Sequence, residues 1–586
     1  MKKIKSDWNF KNFYKSETDT QIEKDAAKFS DSVDKFVKRY TRNNNYLKSV
    51  KELRRACDEY EKVIHMPEAD KPIIYFYLKK DQNSNNKKAE GEYNKYSQLY
   101  TKIVNKILFF ELSLGKISEK QQSKFLKSRE LKKYYYFLLL IFKASKYQLT
   151  EGEEKVLSLM NGPAQEMWVS SNQKILSNKT VKFRNREVSL SEAISTLAEL
   201  SVVERRALAK KINKKFFEVS DFSEAEINAL FTNKKIRDEL RGLKKPYTAT
   251  VMSYQNEDET VENLVKTVVR NYGISKRFYR VKAKMLKMDK LRYEDRAAQV
   301  GKNKKKFTFE NTTKILSTAF KKISKKYQEY FESYLLNGQI DVYPRLGKSS
   351  GAYCLSTNHH PTYILLNHSD DFNSVVTLAH EMGHAFHGEL SKKQDLIYSG
   401  YTIPTAEVAS TFFENFIFDE VLETLNDEEK IVALHDKIEA QVSTIFRQIA
   451  CFNFENELHQ NIRERGYMSK QEIARLMNVH MKKYLGSVFE INESDGYFFT
   501  YWSHIRRFFY VYSYAFGSIV SSALYANYKK DKNFIKKVEK FLSAGASKSP
   551  EDIFSEIGVD IRNPDFFESG LKLILGDIKK LEKLLK

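Results

Sequence analysis

The chain has 586 residues, 41% hydrophobic and 30% charged, with 40 Phe and 35 Tyr; this much apolar and aromatic content excludes global disorder, and the length supports more than one lobe. Only 9 Pro and 21 Gly are present, too few to turn the many short strands of a sandwich, barrel or propeller, so a mainly α fold is predicted. The formal charge is +23, but the lysines are interleaved with acids along helix-like stretches and no nucleic-acid-binding motif accompanies them, so no nucleic-acid partner is predicted.

No apolar segment follows the opening MKKIKSDWNF, and Cys57, Cys354 and Cys451 are an odd, widely spaced set, which together predict a reducing, cytoplasmic compartment. From Asp19 to about Tyr147 the sequence reads as successive amphipathic helices, with Phe29, Val33, Phe36 and Val37 at a spacing near 3.6. The longest apolar run, residues 134–142 (YYYFLLLIF), is bounded by Lys133 and Lys143 and falls short of the roughly 20 residues that cross a bilayer, so no membrane partner is expected. The polar tract 79–88 (KKDQNSNNKK) predicts an exposed loop between helices, and Asn161-Gly162-Pro163 predicts a turn.

Alternation in residues 181–190 (VKFRNREVSL) predicts a small hairpin around Arg184-Asn185, with helices resuming at Ser191. The lobe boundary is placed there, giving an N-terminal helical lobe over 1–190 and a catalytic domain over 191–586. Residues 338–368 (GQIDVYPRLGKSSGAYCLSTNHHPTYILLNH) alternate and are broken by Gly, Ser, Asn and Pro, predicting the one appreciable sheet. From Asp371 onward the pattern returns to helix.

Residues 374–390 (SVVTLAHEMGHAFHGEL) place Val375, Leu378, Ala379, Met382, Ala385 and Phe386 at helical spacing and contain His-Glu-x-x-His. On a helix His380 and His384 lie one turn apart on one face and can bind one zinc ion, while Glu381 sits beside the ion as the candidate general base. The extended pattern H-E-x-x-H-x-x-G-x-x-H, which takes its third ligand from just beyond the motif, would require Gly at position 387 and His at 390, but the sequence has His387 and Leu390. The candidate third ligand is therefore Glu407, in residues 399–416 (SGYTIPTAEVASTFFENF), where Pro404-Thr405 reads as a helix start and Glu407 falls in the first turn. Small residues Ala379, Gly383 and Ala385 on one helix and Ala406, Ala409 and Ser410 on the other allow close approach. Glu414 is expected to accept a hydrogen bond from a ligand histidine.

Residues 501–517 (YWSHIRRFFYVYSYAFG) gather His504, Tyr510, Tyr512 and Tyr514, donors suited to a developing oxyanion. On a continuous helix Tyr510 and Tyr514 share a face and Tyr512 is turned away, so the set cannot act as one. By itself such an aromatic stripe reads as core packing.

The segments VTLAHEMGHAFH, PTAEVASTFFENF, GKSSGAYC, HIRRFFYVYSYAFG and NPDFFESGLKLI resemble the oligoendopeptidase F branch of the thimet oligopeptidase family of zinc metallopeptidases. The resemblance covers roughly residues 200–580, the first 200 matching only in helical character. It implies a two-lobed helical ellipsoid with a deep central channel and a small β-sheet beside the active-site helix, and one zinc ion per chain held by His380, His384 and Glu407. It further implies Glu381 as base, and His504 with Tyr510, Tyr512 or Tyr514 as transition-state donors. Gly351, Ala352 and Tyr353 would belong to a substrate-facing strand that hydrogen-bonds an extended peptide. Phe413 departs from the small polar residue many relatives carry, and His359, His360, His368 and His387 are assigned surface or supporting places. The expected activity is endopeptidase cleavage of short unstructured oligopeptides by a monomer. Two other readings are a helical zinc carboxypeptidase and a basic helical nucleic-acid-binding protein whose metal is structural or absent.

Overall fold

The computed structural model describes residues 4–301 and 305–586, and helices account for 72% of the protein. The mainly α expectation holds. The first long helix, Gln21–Arg42, buries Ile22, Phe29, Val33, Phe36 and Tyr40 along one stripe, and from Phe29 onward that stripe joins a core drawn from residues 29–142. This core is dense in aromatic rings: Phe36 lies 5.4 Å from Phe110, and Tyr60 stacks on Phe110 at 4.9 Å. A far larger core runs from Ile227 to Leu581 and surrounds the His-Glu-x-x-His helix.

The predicted hairpin is present as β1 (Thr180–Phe183) and β2 (Arg186–Ser189), paired antiparallel. Its two-residue turn takes positive φ at both Arg184 (46°) and Asn185 (64°), the conformation whose twist matches the flanking strands. A small core spanning residues 176–219 packs around the hairpin, continuous across the proposed boundary at residue 190. Asn161-Gly162-Pro163 does not make the predicted turn. The helix Glu151–Asn161 continues through a π-helical segment, Gly162–Glu166, into the helix Met167–Ser177. Proline removes one amide donor, and a wider local turn accommodates it without ending the helix.

The remaining strands are short. β3 (Leu291–Arg292) pairs in parallel with β7 (Phe489–Glu490). β4 (Ile340–Asp341), β5 (Tyr353–Leu355) and β6 (Tyr363–Leu365) form the predicted sheet in the order β4-β6-β5, with β5 antiparallel to β6 at one margin. The N-terminal segment is strapped onto this sheet: Val342 N donates to Ser6 O (3.0 Å), Asn9 N to Gly338 O (2.8 Å), and Trp8 Nε1 to Ile364 O (2.9 Å). Trp8, Phe13 and Tyr14 are buried there with Tyr75, Phe76 and Tyr363. Residues 5–14 are thus packed against the sheet that adjoins the His-Glu-x-x-His helix.

Candidate active site

The His-Glu-x-x-His motif lies on the helix Phe372–Ser391, here the motif helix, whose N-terminus is capped by Asp371 accepting from Ser374 N at 2.7 Å. Glu407 lies on the ligand helix, Ile403–Leu422, with Pro404 at its second position. Glu407 is the fifth helical residue, so it stands at the start of the second turn rather than in the first. The two helices meet at a glycine: a Cβ on Gly383 would fall 2.6 Å from Ser410 Cα and 3.1 Å from Ala409 O. On the other side of the ligand helix runs the tyrosine helix, Tyr512–Lys530. It too approaches through a glycine, since a Cβ on Gly517 would lie 2.5 Å from Glu407 Cβ.

These approaches bring three donors together. Ligand atoms of His380, His384 and Glu407 lie within 4.8 Å of one another. The two imidazoles are 4.9 Å apart at 82°, and His380 Nε2 is 3.7 Å from Glu407 Oε2. Two donors on one tetrahedral zinc are about 3.4 Å apart, so a small adjustment seats an ion. His380 Nδ1 bonds Glu414 Oε2 at 2.8 Å, which fixes the ring with Nε2 turned toward Glu407.

The electrostatics favour a cation. Burial pushes Glu381 up to about 7 and also raises Glu407. Burial opposes charge on His380, but its hydrogen bond to Glu414 and the nearby carboxylates outweigh that and lift it to about 9. Burial together with the neighbouring His380 drives His384 well below the usual imidazole range. Among the described residues, the ion-pair partner of Glu407 and Glu414 is His380, with no Lys or Arg in contact. Three carboxylates and two imidazoles, with no Lys or Arg among them, form a donor set that a divalent ion completes.

A cavity of about 590 Å³ opens beside this cluster, lined by His380, Glu407, Glu414 and Tyr514 together with Phe418 and Asp436. Its far wall is the helix Asp427–Val442. On another side β5 packs against the motif helix, and the Cys354 thiol, raised by burial, also feels the Glu381 charge. Tyr353 turns its ring away toward Trp8 and Tyr77, as alternation along a strand requires. Gly351 and Ala352 lead into β5, and the edge of β5 opposite β6 has no strand partner among the described residues.

His504, Tyr510 and Tyr514 come together. Tyr510 lies 5.2 Å from His504 and 5.6 Å from Tyr514, ring to ring, and His504 Nδ1 is hydrogen-bonded to the Tyr510 hydroxyl. Of the three, Tyr514 lines the cavity. Tyr512 is not part of it: it is fully buried and bonds Asn256 Oδ1 at 3.1 Å. Tyr510 precedes the helix, which begins at Tyr512, so a bend in the chain brings 510 and 514 together, not one helical face.

The other singled-out residues are placed elsewhere. His359 reaches the His65 carbonyl (2.6 Å) and His360 the Pro67 carbonyl (3.0 Å), while His368 is buried against the Phe307 carbonyl (2.9 Å). His387 is buried and stacked on Tyr401 at 3.7 Å. Phe413 fills an aromatic core with Phe386 and Tyr327 behind the ligand helix. Sequence reasoning missed Gly517, whose only signal was a lone glycine in a helical run, and Asp436, which sits on an ordinary amphipathic helix.

Residues 204–573 match the model of peptidase family M3, and residues 114–179 match that of oligopeptidase F. The second match corrects the expectation that the first 200 residues share only helical character. The chain is 26% identical over 529 residues to oligopeptidase PepF of Bacillus subtilis (strain 168), covering 87% of this chain and 78% of that protein. Among solved structures, a Chlamydophila abortus chain superposes with a TM-score of 0.84 at 21% identity, covering 92% of each chain. Oligoendopeptidase-F from Enterococcus faecium superposes at 0.70 and 18%, covering 96% of this chain and 99% of that one. With a family model matched over more than half its length, around the helices that carry the histidines and Glu407, the chain belongs to peptidase family M3.

Proposed function

We propose that the protein is a zinc-dependent endopeptidase that hydrolyses internal bonds of short, unstructured oligopeptides in the cytoplasm. The observation that carries the reading is the convergence of His380, His384 and Glu407 within 4.8 Å, with Glu381 one residue along the same helix. His380, His384 and Glu407 would hold one zinc ion per chain, which when bound supplies a Lewis acid that polarises the scissile carbonyl and acidifies water. Glu381 accepts the proton of the attacking water and delivers it to the leaving amine, a role suited to a carboxyl pushed up to about 7 by burial. Glu414 holds His380 by its Nδ1. Tyr510 and Tyr514, with His504, donate to the oxyanion. The unpaired edge of β5 offers amides and carbonyls to an extended substrate backbone, with Gly351 leaving room at its start. No helix among the described residues is long and apolar enough to cross a membrane. A channel between two helical lobes would admit flexible peptides and exclude folded proteins.

Comparing wild type with Glu381→Gln on an internally quenched, end-blocked peptide, with bound zinc measured in both, tests the reading. Zinc content is expected to stay at one per chain while turnover falls at least about 100-fold. Comparable turnover in the variant would remove Glu381 from this role, and cleavage restricted to peptides with a free C-terminus would replace the endopeptidase by a carboxypeptidase.

A further inference from the structure

We infer that Glu455, remote in sequence from every residue assigned above, is a positioning residue: its carboxyl fixes the strained Phe508-Phe509 turn that holds Tyr510 against His504. The inference rests on the proposed role of Tyr510 and His504 as transition-state donors.

The short 3-10 segment Ser503–Arg507 carries His504, and the helix from Tyr512 carries Tyr514. Between them, Phe508 and Phe509 both have positive φ, 44° and 61°. Two consecutive bulky residues in that region are sparsely populated and persist only where the surroundings over-determine them. Here they are over-determined. Phe509 N donates to Glu455 Oε1 at 2.9 Å, and Thr250 Oγ1 donates to Phe508 O at 2.9 Å. Just upstream, the Arg506 guanidinium makes a two-pronged pair with Glu226 (2.7 Å each) and also donates to Trp502 O and Thr500 O (both 3.1 Å). The Phe509 ring is buried against Phe452 (5.3 Å), His459 (5.0 Å) and Tyr247 (5.8 Å).

Glu455 is fully buried, as Glu226 is, but unlike Glu226 its second oxygen has no hydrogen-bond partner. A carboxyl is costly to bury for packing alone, and the bond it makes goes to the amide of the strained residue. Burial raises it well above the usual carboxylate range, so a neutral amide side chain can replace it as acceptor. Without the anchor, the turn is free to relax toward negative φ, which swings Tyr510 off His504 while leaving the zinc ligands untouched.

The test uses the full-length zinc-loaded enzyme and compares Glu455→Leu, Glu455→Gln, Tyr510→Phe and the double variant Glu455→Leu/Tyr510→Phe on the quenched peptide. Glu455→Leu is expected to lower kcat at least about 10-fold with KM within about 2-fold and zinc unchanged. Glu455→Gln, which keeps the acceptor, should stay within about 3-fold of wild type. In the Tyr510→Phe background, Glu455→Leu should cost less than about 3-fold more, because the group it positions is gone. Should Glu455→Leu not give the wild-type circular dichroism spectrum, Thr250→Val loosens the other end of the same turn and carries the same expectation. A harmless Glu455→Leu, a Gln variant as damaged as Leu, or fully additive losses would overturn the inference while leaving the donor reading intact. A fully active Tyr510→Phe would sink the donor reading and the inference together, and Glu381→Gln independently tests the peptidase reading beneath both.

Discussion

The N-terminal helical core and the three helices of the active site solve the same packing problem in opposite ways. In the first, large rings fill the space: Phe110 lies 5.4 Å from Phe36, 5.2 Å from Tyr46 and 4.9 Å from Tyr60, and Phe36 lies 5.9 Å from Tyr60. In the second, the helices approach where side chains are missing, Gly383 against Ser410 and Gly517 against Glu407. A ring core spreads a loss over many contacts, whereas a glycine seam meets an added methyl with the Ser410 backbone or the Cβ of Glu407. Rings also pack behind the ligand helix, Phe413 with Phe386 and Tyr327, so it is the glycine contacts that the variants below set against the ring core.

The largest effect is expected from Gly383→Ala, whose new methyl would lie 2.6 Å from Ser410 Cα. No rotamer relieves a backbone contact, so the helices must part, and bound zinc and activity should both fall about 100-fold or more. Retention of stoichiometric zinc after dialysis would show that the seam has slack. Glu414→Ala comes next. It removes the 2.8 Å partner of His380 without touching a ligand, and competition with a chelator should read a 10–100-fold loss of zinc affinity. In the ring core, Phe110→Leu should cost about 1–2 kcal/mol, seen as a lowered Tm with kcat and zinc content within twofold of wild type. A change in zinc affinity there would break the contrast. The smallest effect is expected from Val203→Ser on the long helix Val202–Leu240, where Val203 is 79% exposed; stability should stay within about 0.5 kcal/mol.

What the sequence disclosed follows the range of the interactions involved. The motif helix, the hairpin at Arg184-Asn185 and the pairing of small residues between two helices are written in local spacing, and periodicity reads them. Glu407 was reachable because its helix announces its start with Pro404 and offers small residues to a partner. Tyr512 was gathered into the candidate set because a run of alternating tyrosines reads as one unit. Whether the helix starts at 510 or 512 depends on a turn held by Glu455 and Thr250, more than 50 and more than 250 residues away. Gly517 gave no hint of its neighbour for the same reason. Interactions of that kind have no period.

The strap of residues 5–13 on the catalytic sheet bears on how the molecule is made. Trp8 finds the Ile364 carbonyl across 356 residues of chain, and a ribosome adding about 5–20 residues per second needs tens of seconds to deliver that partner. Throughout synthesis of the intervening helices, Trp8, Phe10 and Phe13 have no sheet to lie on. Those rings must wait, and the sheet beside the motif helix acquires its backing only once most of the protein has emerged, a built-in delay between translation and a completed fold.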